Sequence, residues 1–187
     1  MRQEVFVLRK SVFDFFQQVI FKTKKNRILE IGPMDLAFTP IKEFYVDSKS
    51  EFIGRGSYYK TCDSYAESNC DYICDIIDLP NKIDEKFDVI IACEVVEHVG
   101  EIWKLKDIFY NLLNDEGEVY LSSPYHFFLH NPFPDYWRIS KWGWELLFSE
   151  KFDVTVQETY FEEDERRPLH YKIILKKKII NKLWQIH

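Results

Sequence analysis

The order of apolar and polar residues along the chain predicts that strands and helices alternate. The stretch 87–93 is nearly continuous in apolar residues, as is typical of a strand that is covered on both faces. The stretch 27–31 has the same character and ends at a glycine turn. A helix is expected over residues 11–21, because its apolar positions recur at the helical period and fall on one face.

The remaining elements continue this alternation. Further strands are expected at 43–46, 72–74, 118–122, 152–160 and 170–177. Helices are expected at 103–113, ending near Gly117, and close to 141–149, whereas the polar segment 48–69 is expected to be a loop with at most a short helix. This order predicts an α/β fold, a mostly parallel seven-stranded sheet with an antiparallel C-terminal hairpin strand and helices on both faces.

Length and charge are those of one soluble domain. The chain has 187 residues, a formal net charge of −6 and 30% charged residues, so it presents no overall basic field for nucleic acid. No stretch approaches the roughly 20 apolar residues of a membrane span. Charged residues at Arg2, Glu4 and Arg9 interrupt the apolar run that a signal peptide would need. We therefore expect a cytoplasmic location.

The cysteines allow two interpretations. The four are Cys62, Cys70, Cys74 and Cys93, without a C-x-x-C pair, and a chain without a secretory signal is expected to keep them reduced. The first three lie in one segment and could form a zinc site. Packing as small apolar side chains is the better interpretation, because the close paired spacing of zinc ligands is missing.

The end of the first predicted strand carries candidate chemistry. Glu30 is flanked by apolar residues, and a carboxylate at a buried strand end needs a partner. Gly32 allows a sharp turn and leaves room for a ligand against the backbone. Ligands of open α/β sheets bind at the carboxyl ends of such strands. A carboxylate there favours a ligand with positive charge and hydroxyl groups over one made of phosphates.

An ordered set of short motifs resembles the class I S-adenosylmethionine-dependent methyltransferases. The first three are Leu29-Glu30-Ile31-Gly32-Pro33, Tyr45-Val46-Asp47 and Cys74-Asp75-Ile76-Ile77-Asp78-Leu79-Pro80. The run 87–99 is similar to the "FDvv…evleHv" stretch of the small methyltransferase domain often called type 11. The resemblance covers about residues 27–152. It implies a Rossmann-like fold, S-adenosylmethionine as the cofactor and methyltransferase activity.

The resemblance also implies roles for residues at the strand ends. Gly32 would lie against the methionine part of the cofactor, and Glu30 would reach toward its ammonium group. Asp47, at the end of strand two, would accept hydrogen bonds from the ribose hydroxyls. Asp75 would approach the adenine amino group, and Ile76 would supply a backbone contact and an apolar face for the ring.

For two of these residues, the alternative of a purely structural role stays open. Asp47 could be an exposed turn residue, and Asp75 could cap a turn with Asp78.

At the end of strand four, the resemblance implies that Cys93 and Glu94 lie beside the methyl-bearing sulfur. The first turn departs from the family pattern, because it has a single glycine where two or three are usual.

The spacing Glu94-x-x-Glu97-His98 raises the question of a metal site. On a helix these three side chains would share a face. The pattern does not match H-E-x-x-H, and the sequence suggests no third ligand nearby. We therefore predict no metal site and expect His98 to pack behind strand four.

The aromatic-rich segment 123–138 follows the fifth predicted strand, where the methyl acceptor approaches in the resembling family. It is similar to the "h-p-x-DyWR" stretch of methyltransferases from glycan and surface-polysaccharide gene neighbourhoods. A hydroxyl acceptor needs a base, and His126 and His130 are the candidates. Asp135 and Arg138 could bind acceptor hydroxyls or a phosphate group, or could pair with each other.

Three aromatic residues of this segment are candidates for stacking on a sugar or another ring. They are Tyr125, Tyr136 and Trp137. The alternative is that they form core beneath a long loop.

Together these features predict one methyltransferase-like domain over 1–187. Its parts would be an N-terminal helical segment at 1–26, a cofactor-binding core at 27–122, an acceptor-side segment at 123–150 and a C-terminal hairpin and tail at 151–187. The predicted reaction is S-adenosylmethionine-dependent methylation, by O-methylation, of a small-molecule or glycan-type acceptor. The alternative is a catalytically silent binding domain. We expect no nucleic-acid partner, and the sequence leaves the oligomeric state open.

Overall fold

One mixed sheet organises the computed structural model, which describes residues 3–23, 26–33, 47–160 and 166–179. The strands in this part of the chain are β1 (Arg27–Ile31), β2 (Tyr58–Asp63), β3 (Tyr72–Ile73), β4 (Phe87–Cys93), β5 (Leu113–Pro124), β6 (Phe152–Tyr160) and β7 (Pro168–Lys177). They lie in the order β3-β2-β1-β4-β5-β7-β6. Strands β1 to β5 pair in parallel, whereas β7 is antiparallel to both β5 and β6. The predicted fold class is confirmed.

Helices cover both faces of this sheet. The α-helices of the described part are α1 (Gln3–Lys22), α2 (Ser48–Gly54), α3 (Leu105–Leu112) and α4 (Lys141–Phe148), and short 3₁₀ helices lie at Leu79–Asn81, Val96–His98 and Ile102–Lys104. α1 and α2 pack on one face, and α3 and α4 pack on the other. None of the helices in the described residues combines the length and apolarity needed to cross a lipid bilayer.

The strand β4 explains why two helical layers are needed. Val89 and Ile91 pack with α1, whereas Ile90 and Ala92 pack with α3 and α4 on the opposite face. Successive side chains of a strand point to opposite faces, so a strand that is apolar at nearly every position must be covered twice. This is the feature that made β4 the clearest element in the sequence, and its observed limits match the prediction.

The second strand is the main difference from the prediction. The strand expected at 43–46 falls outside the described residues. β1 instead pairs in parallel with Tyr58–Asp63, inside the segment that was expected to be a loop. Polar residues hid this strand in the sequence. Lys60 donates to Asp71 at 2.8 Å and the Thr61 amide donates to Asp71 at 3.0 Å, so these groups find their partners within the fold.

Two further elements are longer than predicted. α1 begins at Gln3 instead of residue 11. β5 begins at Leu113, directly after α3, so Gly117 lies within a strand and does not end the helix. A Cβ at Gly117 would lie 2.9 Å from Leu113 Cδ2 and 3.2 Å from the Asp88 carbonyl oxygen. Close packing against the neighbouring strand therefore favours glycine there.

Candidate active site

Strands β2 and β3 lie on one side of β1, and β4 and the later strands lie on its other side, so the strand order reverses between β1 and β4. Gly32, the residue after β1, lies at this point. Gly32 has a φ of +61°, and its amide donates to the Cys62 carbonyl oxygen at 2.9 Å. A Cβ on Gly32 would lie only 2.5 Å from Cγ2 of Val95, the second residue after β4. The turn therefore requires glycine for its conformation and for its space. Crevices at such reversal points are where ligands bind in open α/β sheets.

Glu30 is buried two residues before this turn, with 2% of its surface exposed. It accepts a hydrogen bond from the Tyr59 hydroxyl of the adjacent strand β2. Burial, together with the nearby Glu30 charge, raises the pKa of Tyr59 far above its ordinary value, so the hydroxyl remains a donor. The buried carboxylate thus has a partner within the protein. Its contact with a cofactor ammonium group stays a prediction.

Asp47 was expected to end a strand over 43–46, which lies outside the described residues, so its ribose contact stays a prediction. Asp47 is the N-cap of α2, where it accepts from the Ser50 amide at 2.9 Å and from the Ser50 hydroxyl at 2.8 Å. The Ser50 amide and hydroxyl bonds lower the pKa of Asp47. Its side chain is exposed and already engaged, as the turn-residue alternative expected.

The acidic residue at the end of β2 is Asp63. Its Oδ1 accepts from the Tyr65 amide at 2.8 Å, and its carbonyl oxygen accepts from the Cys74 amide at 2.9 Å. Both bonds hold the loops that follow β2 and β3 beside each other. Sequence reasoning missed Asp63 because the polar strand that precedes it was taken as loop.

A cavity of about 510 Å³ opens at the carboxyl ends of strands β2 to β5. Its lining comes from the loops that follow these strands: Ser64, Asp75, Ile77, Asp78, His98, Gly100, Glu101, Pro132, Phe133, Pro134 and Tyr136. This volume is within the range of small-molecule sites, roughly 300–1,000 Å³.

The turn after β3 fits both interpretations of Asp75. Its Oδ1 accepts from the Ile77 amide at 2.8 Å, which holds the turn, and the residue also borders the cavity. The side chain of Ile76 is 5% exposed and packs in the core. The adenine contact predicted for Ile76 stays a prediction, and the next residue, Ile77, is one of the apolar residues that line the cavity.

The end of β4 carries a buried polar network. Cys93 packs in the core on the α1 side, and burial raises the pKa of its thiol. Glu94 follows with a φ of +56°. Its Oε1 accepts from the Ser122 hydroxyl at 2.9 Å and lies 2.8 Å from His170 Nε2. Burial alone would raise the pKa of Glu94, but the contact with His170 outweighs it and lowers this pKa.

His170 extends this network to α1. Its Nδ1 lies 3.2 Å from Ser11 Oγ, which lies 2.7 Å from Thr159 Oγ1. His170 is fully buried. His170 was predicted only as a strand residue, because nothing in the local pattern indicates a contact with β4.

Glu97, His98 and His130 form a close cluster, and His98 is the member of it that lines the cavity. Nε2 of each histidine lies 3.9 Å from Glu97 Oε1, and the two imidazole rings are 5.2 Å apart. His98 is in the 3₁₀ helix after β4 and lines the cavity, so the prediction that it packs behind the strand is wrong. The sequence suggested no third ligand near Glu97 and His98, and in the fold His130 occupies that place.

Burial dominates the electrostatics of this cluster. Burial and the Glu94 charge raise the pKa of Glu97 well above its ordinary value. Burial also lowers the pKa of His130. Neither carboxylate oxygen of Glu97 accepts a hydrogen bond from the described part of the chain.

Asp135 and Arg138 pair with each other, as one predicted alternative had it. Arg138 donates to Asp135 through both terminal nitrogens, at 2.5 Å and 2.7 Å. Partial burial would raise the pKa of Asp135, but the bonds from Arg138 and the His130 amide lower it to about 2. A charged Asp135 lies 3.0 Å from His130 Nδ1 and fixes that ring.

The structure separates the three aromatic candidates. Tyr136 is 53% exposed and lines the cavity. The Trp137 indole donates to the Val99 carbonyl oxygen at 2.8 Å, and Tyr125 contacts the Tyr171 ring edge-on. Trp137 and Tyr125 both pack against the main core. Only Tyr136 of the three is thus placed to stack on a ligand in the cavity.

His126 lies apart from this site. It is exposed, and its Nε2 lies 2.7 Å from Arg167 Nη2. Neither His126 nor His130 is among the residues that line the cavity, but the His130 ring contacts His98, which does line it. The two histidines that sequence reasoning treated as equivalent bases therefore occupy different environments.

The cysteines do not come together as three ligands. Within the described residues, the one group of three or more side chains with metal-binding atoms in mutual reach is Glu97, His98 and His130. Cys62 Sγ lies 3.9 Å from Cys74 Sγ, and all four cysteines are free thiols.

Comparisons with known proteins agree with the topology. No family profile and no curated protein sequence matches the chain. A SAM-dependent methyltransferase from Archaeoglobus fulgidus superposes with a TM-score of 0.62 at 16% identity, over 90% of this chain and 94% of its own. The N-methyltransferase NodS from Bradyrhizobium japonicum WM9, solved with S-adenosyl-L-homocysteine, gives 0.63 at 12% identity, over 91% and 87%.

A third similar structure contains an acceptor. The Burkholderia thailandensis 1,6-didemethyltoxoflavin-N1-methyltransferase, with bound 1,6-didemethyltoxoflavin and S-adenosylhomocysteine, gives a TM-score of 0.59 at 12% identity, over 92% of this chain and 79% of its own. The strand order, the antiparallel β7 and these similarities agree. The chain has the fold of the class I S-adenosylmethionine-dependent methyltransferases.

Proposed function

We propose that this protein transfers a methyl group from S-adenosylmethionine to a hydroxyl group of a small-molecule or glycan-type acceptor. The observation that carries the proposal is the cavity bordered by the loops that follow β2 to β5, at the same edge of the sheet where the chain turns at Gly32 after β1. A ligand that spans this edge would contact several strand ends at once.

The cofactor side is supported by the chemistry of the strand ends. A sulfonium nucleoside carries positive charge and a ribose diol, and carboxylates suit both. Glu30 is the carboxylate nearest the Gly32 turn in sequence. We assign to Asp63 the ribose role that the resemblance implied for Asp47, because Asp63 ends β2 while Asp47 caps α2. Asp75 and Ile77 would border the adenine.

The acceptor side is supported by the loop after β5. Methyl transfer needs the acceptor oxygen in line with the methyl carbon and the sulfur, so positioning supplies most of the catalysis. The oxygen–carbon bond forms as the carbon–sulfur bond breaks, and the sulfonium becomes a thioether. An alcohol must also lose its proton. We assign this step to His130: its Nδ1 is directed at Asp135, and its Nε2 is the nitrogen that would take the proton.

The proposal is tested first by cofactor binding. Titration calorimetry with S-adenosylhomocysteine should give one site per chain, and the ligand at 100 times its Kd should stabilise the protein by about 2.7 kcal/mol. Absence of heat and of stabilisation would refute the enzymatic proposal and favour a silent binding domain. A panel of polyols, glycosides and amines, scored by the gain of one methyl mass, then identifies the acceptor. Methylation of amines alone would overturn the hydroxyl assignment.

A further inference from the structure

Three potential ligand atoms point toward one another at the cavity rim. Glu97 Oε1 is 3.9 Å from Nε2 of both His98 and His130, and all three atoms lie within 4.8 Å of one another. Ligand atoms on a tetrahedral ion with bonds of 2.0–2.1 Å are about 3.4 Å apart. The distances between the three atoms are thus slightly larger than in a site with a bound ion. Each atom would have to move inward by about half an ångström to bind one.

The glutamate of this cluster is buried and receives no hydrogen bond on its carboxylate from the residues that the structure describes. Glu97 is 0% exposed, and neither of its carboxylate oxygens accepts a hydrogen bond from the described residues. A buried carboxylate is costly unless it is hydrogen-bonded, paired or bound to a metal. A cation between Glu97 and the two imidazoles would satisfy it.

The histidines are already oriented for such an ion. His98 Nδ1 lies 3.1 Å from the Pro134 carbonyl oxygen, and His130 Nδ1 lies 3.0 Å from Asp135 Oδ2. Each Nδ1–H is therefore the donor, which leaves the Nε2 lone pair facing Glu97. Hydrogen bonds from the second ring nitrogen to a carboxylate or carbonyl are typical of metal-bound histidines.

The backbone also fixes the two halves of the cluster against each other. The Tyr136 amide donates to the Glu97 carbonyl oxygen at 2.8 Å, so the loop after β5 is tied to the 3₁₀ helix after β4. Arg138 holds Asp135 through two bonds. The three side chains are thus positioned by contacts that do not involve an ion.

We propose that Glu97, His98 and His130 bind one divalent transition-metal ion and that its open coordination positions receive the acceptor oxygen. Two imidazoles and one carboxylate suit Mn²⁺, Fe²⁺, Co²⁺, Ni²⁺ or Zn²⁺ better than Ca²⁺ or Mg²⁺, which prefer oxygen ligands. Three protein ligands leave positions open, and His98 borders the 510 Å³ cavity into which those positions would face.

The role of this ion in the reaction rests on the proposed function, although metal binding itself does not. Two neutral imidazoles and one carboxylate leave a net positive charge on a bound divalent ion. That charge would lower the pKa of a bound alcohol, so its proton would pass to solvent. The oxygen would then attack the methyl carbon, and the sulfonium sulfur would keep the electron pair of the broken bond. His130 would in this case serve as a ligand and not as the base.

Cobalt binding tests the site directly. Co²⁺ added to the metal-free full-length protein should give a visible d–d absorption that saturates at one equivalent, without a strong near-ultraviolet sulfur-to-metal band. His98→Ala and His130→Ala should each abolish the saturable absorption. His126→Ala is the matched control, because this histidine of the same loop faces Arg167 outside the cavity, and it should bind Co²⁺ like the wild type.

The outcomes separate this proposal from the proposed function. S-adenosylhomocysteine affinity and thermal unfolding should stay close to wild type in the two alanine variants, which excludes misfolding. Cofactor binding without saturable Co²⁺ absorption in the wild type would overturn the metal site alone. An absorption that survives both substitutions, or one with a strong sulfur-to-metal band, would also overturn it. Co²⁺ binding without cofactor binding would refute the methyltransferase proposal and leave the metal site intact.

Discussion

The sharpest prediction concerns two aspartates that sequence and structure assign differently. Asp63 ends β2 and is proposed to bind the ribose, whereas Asp47 caps α2 through Ser50. Asp63→Asn keeps an oxygen for the Tyr65 amide but removes the negative charge. Asp47→Ala removes the cap and leaves Asp63 untouched. Asp63→Asn should therefore lower the affinity for the cofactor, whereas Asp47→Ala should lower the thermal stability.

The expected magnitudes follow from the bonds that are lost. Hydrogen bonds to a charged group contribute about 1.5–3 kcal/mol, so Asp63→Asn should weaken S-adenosylhomocysteine binding by about 10- to 150-fold. Loss of an N-cap costs about 1 kcal/mol, so Asp47→Ala should lower Tm by about 2–4 °C. Cofactor affinity should stay unchanged in Asp47→Ala.

The pH dependence gives Asp47 a second signature. Its pKa is lowered in the folded protein by the bonds from Ser50, so its stabilisation is present above the unfolded pKa, about 3.9, and is lost as pH falls through the folded pKa. The Tm difference between wild type and Asp47→Ala should therefore be full near pH 7 and shrink below about pH 4.

Calorimetry of both variants measures their cofactor affinity, and thermal unfolding measures their Tm. Together the two measurements show which aspartate binds the ribose. A drop in cofactor affinity for Asp47→Ala, with Asp63→Asn unaffected, would show that the ribose assignment was misplaced. An equal loss of cofactor affinity in the two variants would mean that α2 and β2 both lie close to the cofactor. Either result would refute the separation of roles argued from the strand limits.

Three further predictions concern stability. Gly32→Ala should lower the free energy of unfolding by at least about 1–2 kcal/mol, the scale of left-handed backbone strain, because its φ is +61°; urea unfolding measures this, and an unchanged midpoint would contradict it. Tyr59→Phe should cost about 1–3 kcal/mol in the same assay, because it removes a hydrogen bond to the buried Glu30. Trp137→Phe should cost about 1 kcal/mol through the lost bond to Val99, and a stability equal to wild type would show that this bond contributes nothing.

Sequence reasoning succeeded where the physical signal is local. The apolar run of β4 specifies a strand covered on both faces, and its observed limits are Phe87–Cys93. The glycine after a buried strand specifies a turn, and Gly32 takes a positive φ there. These features depend on a few neighbouring residues, so the pattern is sufficient.

Sequence reasoning failed where a residue contacts partners that are distant in the chain. The polar residues of β2 find Asp71 only after folding, so the strand looks like a loop in the sequence. His130 reaches Glu97 because backbone bonds dock one loop on another, which no spacing rule encodes. Asp47 was assigned by its place in a motif, and its actual role depends on where the next strand begins.

The contact between His170 and Ser11 has a consequence for the N-terminal helix. Through His170, a hydroxyl of α1 is coupled to Glu94, the acidic group at the end of β4. A shortened protein that starts at β1 would lose this hydroxyl and uncover the apolar face that α1 protects. The first helix is thus an integral support of the carboxyl end of β4, and any attempt to define a smaller folded unit has to retain it.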